Sequence, residues 1–511
     1  MIEFPVGLHV LITREQIPVT GPMRVGQFNV FTADFSAWRL FLDKQTPCIW
    51  ITAEHVINYD SEELVGMLHK TCLQEGWLNN PLLVFIDGRG HHIEALLKKW
   101  TTQFIILDGL AQADLEKADF PRQIILKRAM RSRSLVELSP YEINKPVTGS
   151  AFFGRQEHID DVVRNPNRSY LFVGIHRMGK TSLLKEMKRR LDKADPPKRG
   201  RVRRVYIDCT VVTTQDDFLK MLMSQLERTG FTLFGKVNTN PDQYMDELFA
   251  HYYEVHGGTI TFLLDEFDRL LTHMRQDWNI VQKMQKAIAN QQIRLIAAGY
   301  RNAIEITINE QSPFSTVFTP VWLKPLSPLA IEQLVLIPFN QLGVAIEEPQ
   351  AFIHKLQDET AGMPNYIQHY CRILLEYAEL MSLNSLSVAD IQKVHEDARF
   401  RGFLLNSFMS NTDLIEQAIV YALVIEKMDQ IDRLAMTTLV DRILTERKLT
   451  LTKEQINLAC QNLRLAGVFT QEETHYKFAI DQFQKMLRQE RDVLFLFERA
   501  REALQTEKIL A

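Results

Sequence analysis

The feature that most constrains the fold of this chain is an eight-residue loop at positions 174–181, GIHRMGKT, with the pattern G-x-x-x-x-G-K-[ST]. A strand-like apolar run at 170–173 precedes the loop, and a helical pattern follows it from Ser182. Gly174 and Gly179 let the backbone approach a phosphate, so that consecutive N–H groups and a helix N-terminus surround it. Four fixed positions with the correct flanks favour a phosphate site over a tight turn without a ligand.

The residues of this loop have distinct predicted roles. Lys180 is placed to contact the β- and γ-phosphates as a point charge, and the Thr181 hydroxyl is placed to ligate Mg²⁺. ATP or ADP with Mg²⁺ are therefore the expected cofactors. The loop residues predicted to bind the nucleotide are Gly174, Ile175, His176, Arg177, Met178, Gly179, Lys180, Thr181 and Ser182.

Two acidic residues end another apolar strand, in the stretch TFLLDEFD at 261–268. Phosphoryl transfer needs one carboxylate for the Mg²⁺ hydration shell and a second to polarise the attacking water. We assign Asp265 to the magnesium ion, together with Thr181, and Glu266 to the water. An acidic pair is also a common helix-start signal, but its place about 80 residues after the phosphate loop favours the catalytic interpretation.

Arg301 follows a further strand, in the stretch AAGYRN at 297–302. Its guanidinium could neutralise charge that develops on the γ-phosphate, which makes it a candidate catalytic residue. The alternative is a surface arginine that opens the next helix. The predicted catalytic set is thus Lys180, Asp265, Glu266 and Arg301.

Length and composition indicate a folded protein of several domains. A chain of 511 residues exceeds one ordinary core, and an apolar content of 46% with 24% charged residues is typical of folded proteins. The net charge of −4 gives no general attraction to nucleic acid or anionic membranes. The five cysteines are scattered in apolar contexts without metal-ligand spacing, and no apolar run approaches 18 residues. We expect a cytoplasmic protein without disulfides or a membrane partner.

Residues 1–145 are predicted to form a small parallel α/β domain whose role is unknown. The stretches HVLI, FNVFTA, CIWITA, PLLVFIDG and QFIILDG resemble strands, and helical patterns separate the later ones. Asp87 and Asp108 end two of these strands, where open α/β sheets place ligands, but turn-forming Asp-Gly pairs are the favoured explanation. His91 and His92 lack metal-ligand spacing and are treated as surface residues.

The remainder of the chain divides at a polar, proline-containing connection near residues 140–150. We predict a P-loop ATPase domain with four strands at 150–324 and a helical lid subdomain at 325–405. Three helical segments and a hairpin candidate at 411–485 predict a winged-helix domain, and residues 486–511 a C-terminal helix. The predicted fold class is thus α/β, with a P-loop core, a helical lid and a winged helix behind a small N-terminal domain.

The motifs together resemble the STAND branch of the AAA+-related P-loop ATPases, of the archaeal and bacterial type. The resemblance rests on FFGRQEHIDDVV, GIHRMGKTSLL, LLDEFDRL, AAGYRN and ETAGMPNYIQHYCRILLE in that order, and covers about residues 150–485. It implies a slowly hydrolysing ATP switch that couples nucleotide state to opening or oligomerisation, in a defence or signalling system. It also implies self-association or a separately encoded protein partner.

The resemblance places two further segments at the nucleotide. The Phe-x-Gly-Arg segment, with Phe153 and Arg155, would border the adenine, and the G-x-P motif of Gly362 and Pro364 would bring the lid against the nucleotide. A glycine and a proline between two helices are also a plain turn. If the motif is functional, Pro364 is the lid's candidate contact with the nucleotide.

Two other functions remain open from the sequence. One is a DNA-binding loader that resembles origin-recognition ATPases, although the candidate recognition helix at 452–466 offers only Lys453 and Arg464 against Glu454. The other is a scaffold that binds ATP without turning it over. The basic run KRGRVRR at 198–204 could contact nucleic acid, but such runs are usually solvated loops and this one has no aromatic residue for base stacking.

Overall fold

The computed structural model describes residues 3–510 apart from several gaps. The gaps are residue 39 and residues 43–44, 78–79, 98–103, 131–132, 196–202, 229–248, 251–252, 255–257, 275–278, 302, 304–313, 315, 429, 433 and 473. Within the described part of the chain, no helix is both long enough and apolar enough to cross a bilayer. All five cysteines are buried, as their apolar contexts predicted, and their thiols are free.

The N-terminal unit is one sheet with helices packed around it. Its strands lie in the order β1-β2-β3-β4-β5, and apolar residues of β3, β4 and β5 form the centre of its core. The strands are β1 (Val19–Val25), β2 (Phe28–Ala33), β3 (Thr46–Ile51), β4 (Leu82–Ile86) and β5 (Phe104–Leu107). The helices are α1 (Val6–Arg14), α2 (Ala53–Asn58), α3 (Ser61–Gln74), α4 (His91–Leu97), α5 (Gly109–Lys117), α6 (Pro121–Ala129) and α7 (Leu135–Leu138).

Two predictions for this unit are wrong. The stretch HVLI lies inside helix α1 rather than in a strand, because a short apolar run fits a buried helix face as well as a strand. The sheet is also mixed rather than parallel: β1 and β2 are antiparallel to each other, β2 is antiparallel to β3, and only β3, β4 and β5 run parallel. A short turn joins β1 to β2, which permits only antiparallel pairing.

The central unit is a parallel five-stranded sheet in the order β10-β6-β9-β8-β7. Its strands are β6 (Ser169–Val173), β7 (Arg204–Asp208), β8 (Ile260–Asp265), β9 (Ile293–Gly299) and β10 (Phe318–Trp322). The helices that the structure describes around it are α8 (Gln156–Arg164), α9 (Lys180–Ala194), α10 (Gln215–Arg228), α11 (Phe267–Met274) and α12 (Asn279–Ala289). The parallel strands β6 and β8 bring the phosphate loop and the acidic pair to the same edge of the sheet.

Strand β10 is the element of this sheet that sequence reasoning missed. It lies at the edge beside β6; Phe318 at its start is buried, and the residues after it alternate between half-buried and exposed positions. Pro320 lies within it, and a proline is tolerated there because an edge strand has N–H positions that face away from the ladder. Three of the four predicted strands, β6, β8 and β9, are buried along their whole length, whereas β10 is not.

A helical subdomain follows the sheet. Its helices are α13 (Pro328–Gln341), α14 (Pro349–Thr360), α15 (Pro364–Leu380), α16 (Ile391–Glu396) and α17 (Ala398–Asn411), and two short strands, β11 (Ala345–Ile346) and β12 (Ser385–Leu386), pair in parallel within it. We refer to residues 325–411 as the lid. The buried hydroxyl of Tyr141, just after α7, donates to the carbonyl of Leu334 in the lid over 3.1 Å, so the N-terminal unit is attached to the lid directly.

The last unit contains helices and a small antiparallel sheet in the order β13-β15-β14, and we call it the helix–wing unit. Its elements are α18 (Leu414–Ile425), β13 (Gln430–Asp432), α19 (Met436–Glu446), α20 (Lys453–Leu465), β14 (Phe469–Glu472) and β15 (His475–Phe478). The chain then continues as two helices, α21 (Phe483–Glu490) and α22 (Val493–Leu510), rather than the single one expected. Buried Phe497, Ala500 and Leu504 of α22 belong to the same core as α18.

Candidate nucleotide-binding site

The phosphate loop connects β6 to helix α9 at the carboxyl edge of the central sheet. Gly179 precedes the first residue of α9 and has a φ of 87°, a left-handed conformation that glycine adopts without steric cost. The N–H of Gly174 donates to the carbonyl of Gly299 at the end of β9 over 3.1 Å. The loop is therefore fixed at both ends, and the N-terminus of a 15-residue helix is presented to an anion.

Lys180 is folded back inside the loop. Its ammonium group donates to the carbonyl oxygens of Gly174 and Ile175 over 2.9 and 3.0 Å, and the side chain is buried. Burial lowers the pKa of Lys180 from its usual value, while the nearby carboxylates of Glu266, Asp268 and Asp265 act in the opposite direction. A phosphate beside this ammonium would replace neutral carbonyl acceptors by a charged one, which strengthens the hydrogen bonds.

A cavity of about 210 Å³ lies over the loop and beneath the lid. Several predicted site residues line it together, namely Phe153, Arg155, Arg177, Met178, Gly179, Lys180, Thr181, Ser182, Glu266 and Pro364. Gly174, Ile175, His176, Asp265 and Arg301, which were also predicted, are not part of its lining. The loop, the Phe-x-Gly-Arg segment and the G-x-P corner thus meet around one space, although they are far apart in the chain.

The two acidic residues at the end of β8 have different surroundings. Asp265 is buried, and its carboxylate accepts hydrogen bonds from the Tyr206 hydroxyl over 2.7 Å and from the Glu266 N–H over 3.1 Å. Glu266 has a φ of 49° and its side chain faces the cavity. Burial raises the pKa of Glu266, and Lys180 opposes that shift. Asp265 is therefore held in place, while Glu266 is the carboxylate that is accessible from the cavity.

Asp268, two residues further on, is a site residue that sequence reasoning missed. Its carboxylate accepts from the backbone N–H groups of Tyr300 and Ala303, over 2.5 and 3.0 Å. A methyl group at Gly299 would lie only 2.6 Å from this carboxylate, so glycine is required there. Asp268 thus fixes the turn that leads from β9 to Arg301. The signal in the sequence was a third acidic residue in DEFD, which can be read as part of the following helix.

Arg155 has a structural role next to the loop. Its guanidinium donates to the carbonyl oxygens of Met178, in the phosphate loop, and Lys324, after β10, over 3.2 and 2.8 Å. Burial lowers the pKa of Arg155 to about 10. The residue also has a left-handed φ of 58° immediately before helix α8. These contacts connect the loop to the edge of the sheet, while the remaining surface of Arg155 lines the cavity.

The connection between the N-terminal unit and the sheet forms one wall of the cavity, which the sequence did not predict. We call residues 142–149 the linker. Its Val147 N–H donates to the Ser182 hydroxyl over 3.1 Å, and its Gly149 N–H donates to the buried Glu186 carboxylate over 2.8 Å. The linker therefore contacts helix α9 directly, and residues 142–147 cover the phosphate loop from outside.

Arg301 is bound by the chain that joins the lid to the helix–wing unit. Its guanidinium donates to the carbonyl of Asn411 over 2.8 Å and forms ion pairs with Asp413 at 3.2 Å and with buried Glu416 at 2.5 Å. Burial lowers the pKa of Arg301, but the hydrogen bond and charge of Glu416 and the contacts with Tyr300 together outweigh burial, and the net shift is upward. We refer to residues 411–416 as the junction.

The junction also contacts the phosphate loop. The Asn411 side-chain oxygen accepts from the N–H of His176 over 2.9 Å, and the Asn411 amide group is held by the Ser407 carbonyl at 2.8 Å. The Arg177 guanidinium lies 4.1 Å from the ring centre of Phe403 in α17, at cation–π distance. Helix α17 and the junction therefore both contact the phosphate loop.

The G-x-P corner packs against the segment of the lid that follows β10. Gly362 has a φ of 67°, its carbonyl accepts from the Leu326 N–H over 2.8 Å, and a methyl group there would lie 3.0 Å from Pro325. Pro364 is the first residue of α15, where its missing N–H costs no hydrogen bond. Met363, between them, is buried against Gly467 of the helix–wing unit.

The remaining candidate residues have simpler surroundings. Asp108 is buried at the start of α5, where its carboxylate accepts from the Ala111 N–H over 3.0 Å. This contact caps the helix and agrees with a turn rather than a ligand site at Asp108. The Asp87 carboxylate accepts from the Ala53 N–H over 3.2 Å. Most of the basic run 198–204 lies outside the described residues, and its last residue, Arg204, pairs with Asp195 at 2.9 Å.

The sheet order, the loop and the acidic strand end define the fold of an AAA-type P-loop ATPase. Residues 163–306 match the family model described as an AAA domain. The Walker-type ATPase of Pyrococcus abyssi is 16% identical over 68% of this chain and 99% of that chain, with a TM-score of 0.49. The ORC2 protein of Aeropyrum pernix, in ADPNP and ADP complexes, is 14% identical over 72% and 98%, with a TM-score of 0.51. No curated protein sequence matches the chain.

The residues present fit a magnesium nucleotide. The cavity combines the N-terminal end of α9, the Lys180 ammonium group and the hydroxyl groups of Thr181 and Ser182, which are the donors and ligands that phosphate and Mg²⁺ require. The buried Asp265 carboxylate lies at the end of β8, which is separated from β6 by β9 in the sheet. Thr181 and Asp265 are therefore the residues that would hold Mg²⁺.

Proposed function

We propose that this protein is an ATP-dependent molecular switch of the STAND type that hydrolyses ATP slowly. The observation that carries the proposal is the junction, which binds both Arg301 and the His176 amide of the phosphate loop. A phosphate that attracts Arg301 competes with the contacts that fix the lid and the helix–wing unit. A ligand shifts a conformational equilibrium only through such differential contacts.

A phosphate would compete with Asp413 and Glu416 for the Arg301 guanidinium. Glu416 is fully buried, and burial raises the pKa of its carboxyl group despite the neighbouring guanidinium. An Arg301 guanidinium that turned to a γ-phosphate would leave Glu416 buried without its cation. The carboxylate would then need water or a proton, which favours separation of the junction from the sheet. Binding of ATP and opening of the helix–wing unit are coupled in this way.

The proposed chemistry uses the residues at the sheet edge. Bound Mg²⁺ would neutralise phosphate charge and orient the phosphate oxygens. Lys180 binds the phosphates, Tyr206 holds the Asp265 carboxylate in position, and Glu266 accepts a proton from the attacking water. Burial raises the pKa of the Glu266 carboxyl group toward neutral pH, which suits a general base. Slow turnover is expected while Arg301 remains bound by the junction, because its charge is not available to the transition state.

The output of the switch is self-association or the binding of a separate protein partner. Opening at the junction would expose the faces of α17 and α18 that lie against the phosphate loop and Arg301. These faces carry Asp413 and Glu416 together with the Phe403 ring. A surface that combines carboxylates and an aromatic ring suits a basic protein surface better than nucleic acid.

A DNA-binding loader is the second candidate, and the likeness in fold to the ORC2 protein of Aeropyrum pernix favours it. The helix–wing unit gives it less support. The end of α20 and the following turn, Ala466 and Gly467, lie against Met363 and Ile175 rather than at the surface. The exposed cations of α20 are Lys453 and Arg464, and Arg464 donates to Gln471 over 3.1 Å. Few positive charges are thus available for phosphate contacts.

The switch is tested with Glu416→Gln in the full-length protein. The substitution keeps the shape and an acceptor oxygen but removes the charge that binds Arg301. We expect the ATP concentration that gives half-maximal opening, measured by hydrogen exchange of α17 and α18, to fall about tenfold. Glu426→Gln is the matched control, because Glu426 pairs with Arg447 inside the same unit. Equal ATP dependence in the parent and in both variants would refute the proposed coupling.

A further inference from the structure

The cavity over the phosphate loop has two chemically different ends. One end presents Lys180 and the hydroxyl groups that suit phosphates. The other end is formed mainly by apolar side chains from the linker, the segment before α8 and the lid, namely Ile143, Pro146, Val147, Phe152, Leu326 and Leu334. An apolar slot beside a phosphate site suits a planar, uncharged ring such as a nucleobase. The polar groups at this end then decide which base fits.

One of these polar groups is a buried acceptor without a partner. The side-chain oxygen of Asn365, the second residue of α15, is buried and accepts no hydrogen bond from any residue that the structure describes. Asn365 lines the cavity. Buried side-chain oxygens in folded proteins are almost always hydrogen-bonded, and leaving one unsatisfied carries a free-energy cost. A ligand that donates to this oxygen would remove that cost.

The backbone around Asn365 is well fixed. Pro364 has a restricted φ and begins α15, and the Ile367 N–H donates to the Met363 carbonyl over 3.0 Å. The next residue, Tyr366, donates its hydroxyl to Ser407 of α17 over 2.8 Å. The Asn365 side chain is therefore presented from a rigid corner of the lid, as a specificity contact requires.

The neighbouring amide on α15 is already engaged. The Gln368 side-chain oxygen accepts from the Glu142 N–H of the linker over 2.9 Å. Gln368 therefore joins the lid to the linker across the apolar end of the cavity. Asn365 is the side-chain amide on α15 whose oxygen has no hydrogen-bond partner among the described residues.

We propose that Asn365 is the residue that selects adenine, and this inference rests on the proposed nucleotide function. A carboxamide can accept from the 6-amino group of adenine and donate to N7 at the same time, whereas guanine and hypoxanthine present an oxygen at position 6. With those bases the oxygen at position 6 faces the Asn365 oxygen, so two acceptors oppose each other and only the hydrogen bond to N7 can form. The base edge read by Asn365 thus distinguishes ATP from GTP and from inosine triphosphate.

The test measures dissociation constants of four nucleotides for the full-length protein by calorimetry. The ligands are ATP, GTP, inosine triphosphate and 7-deaza-ATP, which lacks the N7 acceptor. We expect the parent to bind ATP about tenfold more tightly than inosine triphosphate or 7-deaza-ATP, and Asn365→Ala to reduce both ratios to near one. Asn365→Asp keeps the acceptor but not the donor. It should retain the preference over inosine triphosphate and lose the preference over 7-deaza-ATP.

The matched control is Asn384→Ala, which removes an exposed asparagine side chain elsewhere in the lid. It should keep both ratios of the parent. If the parent binds none of the four nucleotides, the proposed function itself fails. If the parent binds ATP and Asn365→Ala leaves both ratios unchanged, only the role of Asn365 is overturned.

Discussion

Replacing Gly467 by alanine tests how firmly the helix–wing unit is packed against the nucleotide site. Gly467 has a φ of 66° in the turn after α20. A methyl group built there would lie 2.6 Å from the terminal carbon of Met363 and 3.6 Å from Ile175 of the phosphate loop. The contact with Met363 is about 0.8 Å shorter than an ordinary contact of 3.4 Å. The substitution therefore acts on the place where loop, lid and helix–wing unit meet.

The expected cost has two parts. A non-glycine residue in the left-handed region costs about 1 kcal/mol or slightly more. Displacing Met363, which is buried, adds about 1 to 2 kcal/mol, as for other overpacked positions. Gly343→Ala isolates the first part, because Gly343 has a φ of 79° after α13 and a methyl group there would meet nothing within 4 Å. We expect Gly467→Ala to cost about twice as much as this control or more.

The measurement is amide hydrogen exchange, which gives a free energy of local opening for each helix. For Gly467→Ala the reporting helices are α19 and α20, and for Gly343→Ala they are α13 and α14. Met363→Ala and the Gly467→Ala/Met363→Ala double variant complete a cycle, in which removal of the Met363 side chain relieves the overlap. Equal costs for the two glycine substitutions, with no coupling to Met363, would contradict the packing described here.

The remaining predictions concern catalysis, coupling and nucleic acid. Lys180→Ala should abolish ATP binding in a calorimetric titration, and unchanged affinity in this variant would remove the basis for the site. Glu266→Gln should bind ATP normally and lower kcat by about 10²- to 10⁴-fold. Because burial raises the pKa of Glu266, its basic form is lost as the pH falls through that raised value. The acid limb of the kcat profile should therefore lie above the usual carboxyl pKa and be absent in Glu266→Gln. Pro364→Ala should keep the fold but reduce the difference in protease protection of residues 325–485 between the ADP and ATP states, and an unchanged difference would place the coupling elsewhere. Duplex DNA should bind weakly and in a salt-dependent manner with or without ATP, so nanomolar ATP-dependent binding in a titration at physiological salt would favour the loader.

Sequence reasoning found the parts of the fold that have strong local patterns. The strands β6, β8 and β9 are mostly apolar and are buried along their whole length, and the phosphate loop has fixed residues at fixed spacing. Helix α1 was misassigned because a short apolar run lacks a distinguishing period. Strand β10 was missed because it pairs at an edge and has an alternating pattern that includes a proline.

The candidate site was predicted in the same uneven way. The loop, Glu266 and Pro364 were identified by local motifs, and residues 177–181 of the loop line one cavity with Glu266 and Pro364. The contacts of Asn411 with the loop and of Val147 with Ser182 join residues that are 235 and 35 positions apart. No periodicity or spacing encodes such tertiary pairs in a single sequence. The same limit applies to Arg301, whose ion-pair partner Glu416 lies 115 residues further along the chain.

The linker has a practical consequence for any experiment on isolated domains. A fragment that starts at residue 150 would contain the whole phosphate loop and the central sheet. It would nevertheless lack Ile143, Pro146 and Val147, and with them the outer cover of the cavity and the hydrogen bond to Ser182. Such a fragment would present its ligand to bulk water on one side. Nucleotide affinities measured on it would describe an open half-site rather than the enclosed pocket of the full chain.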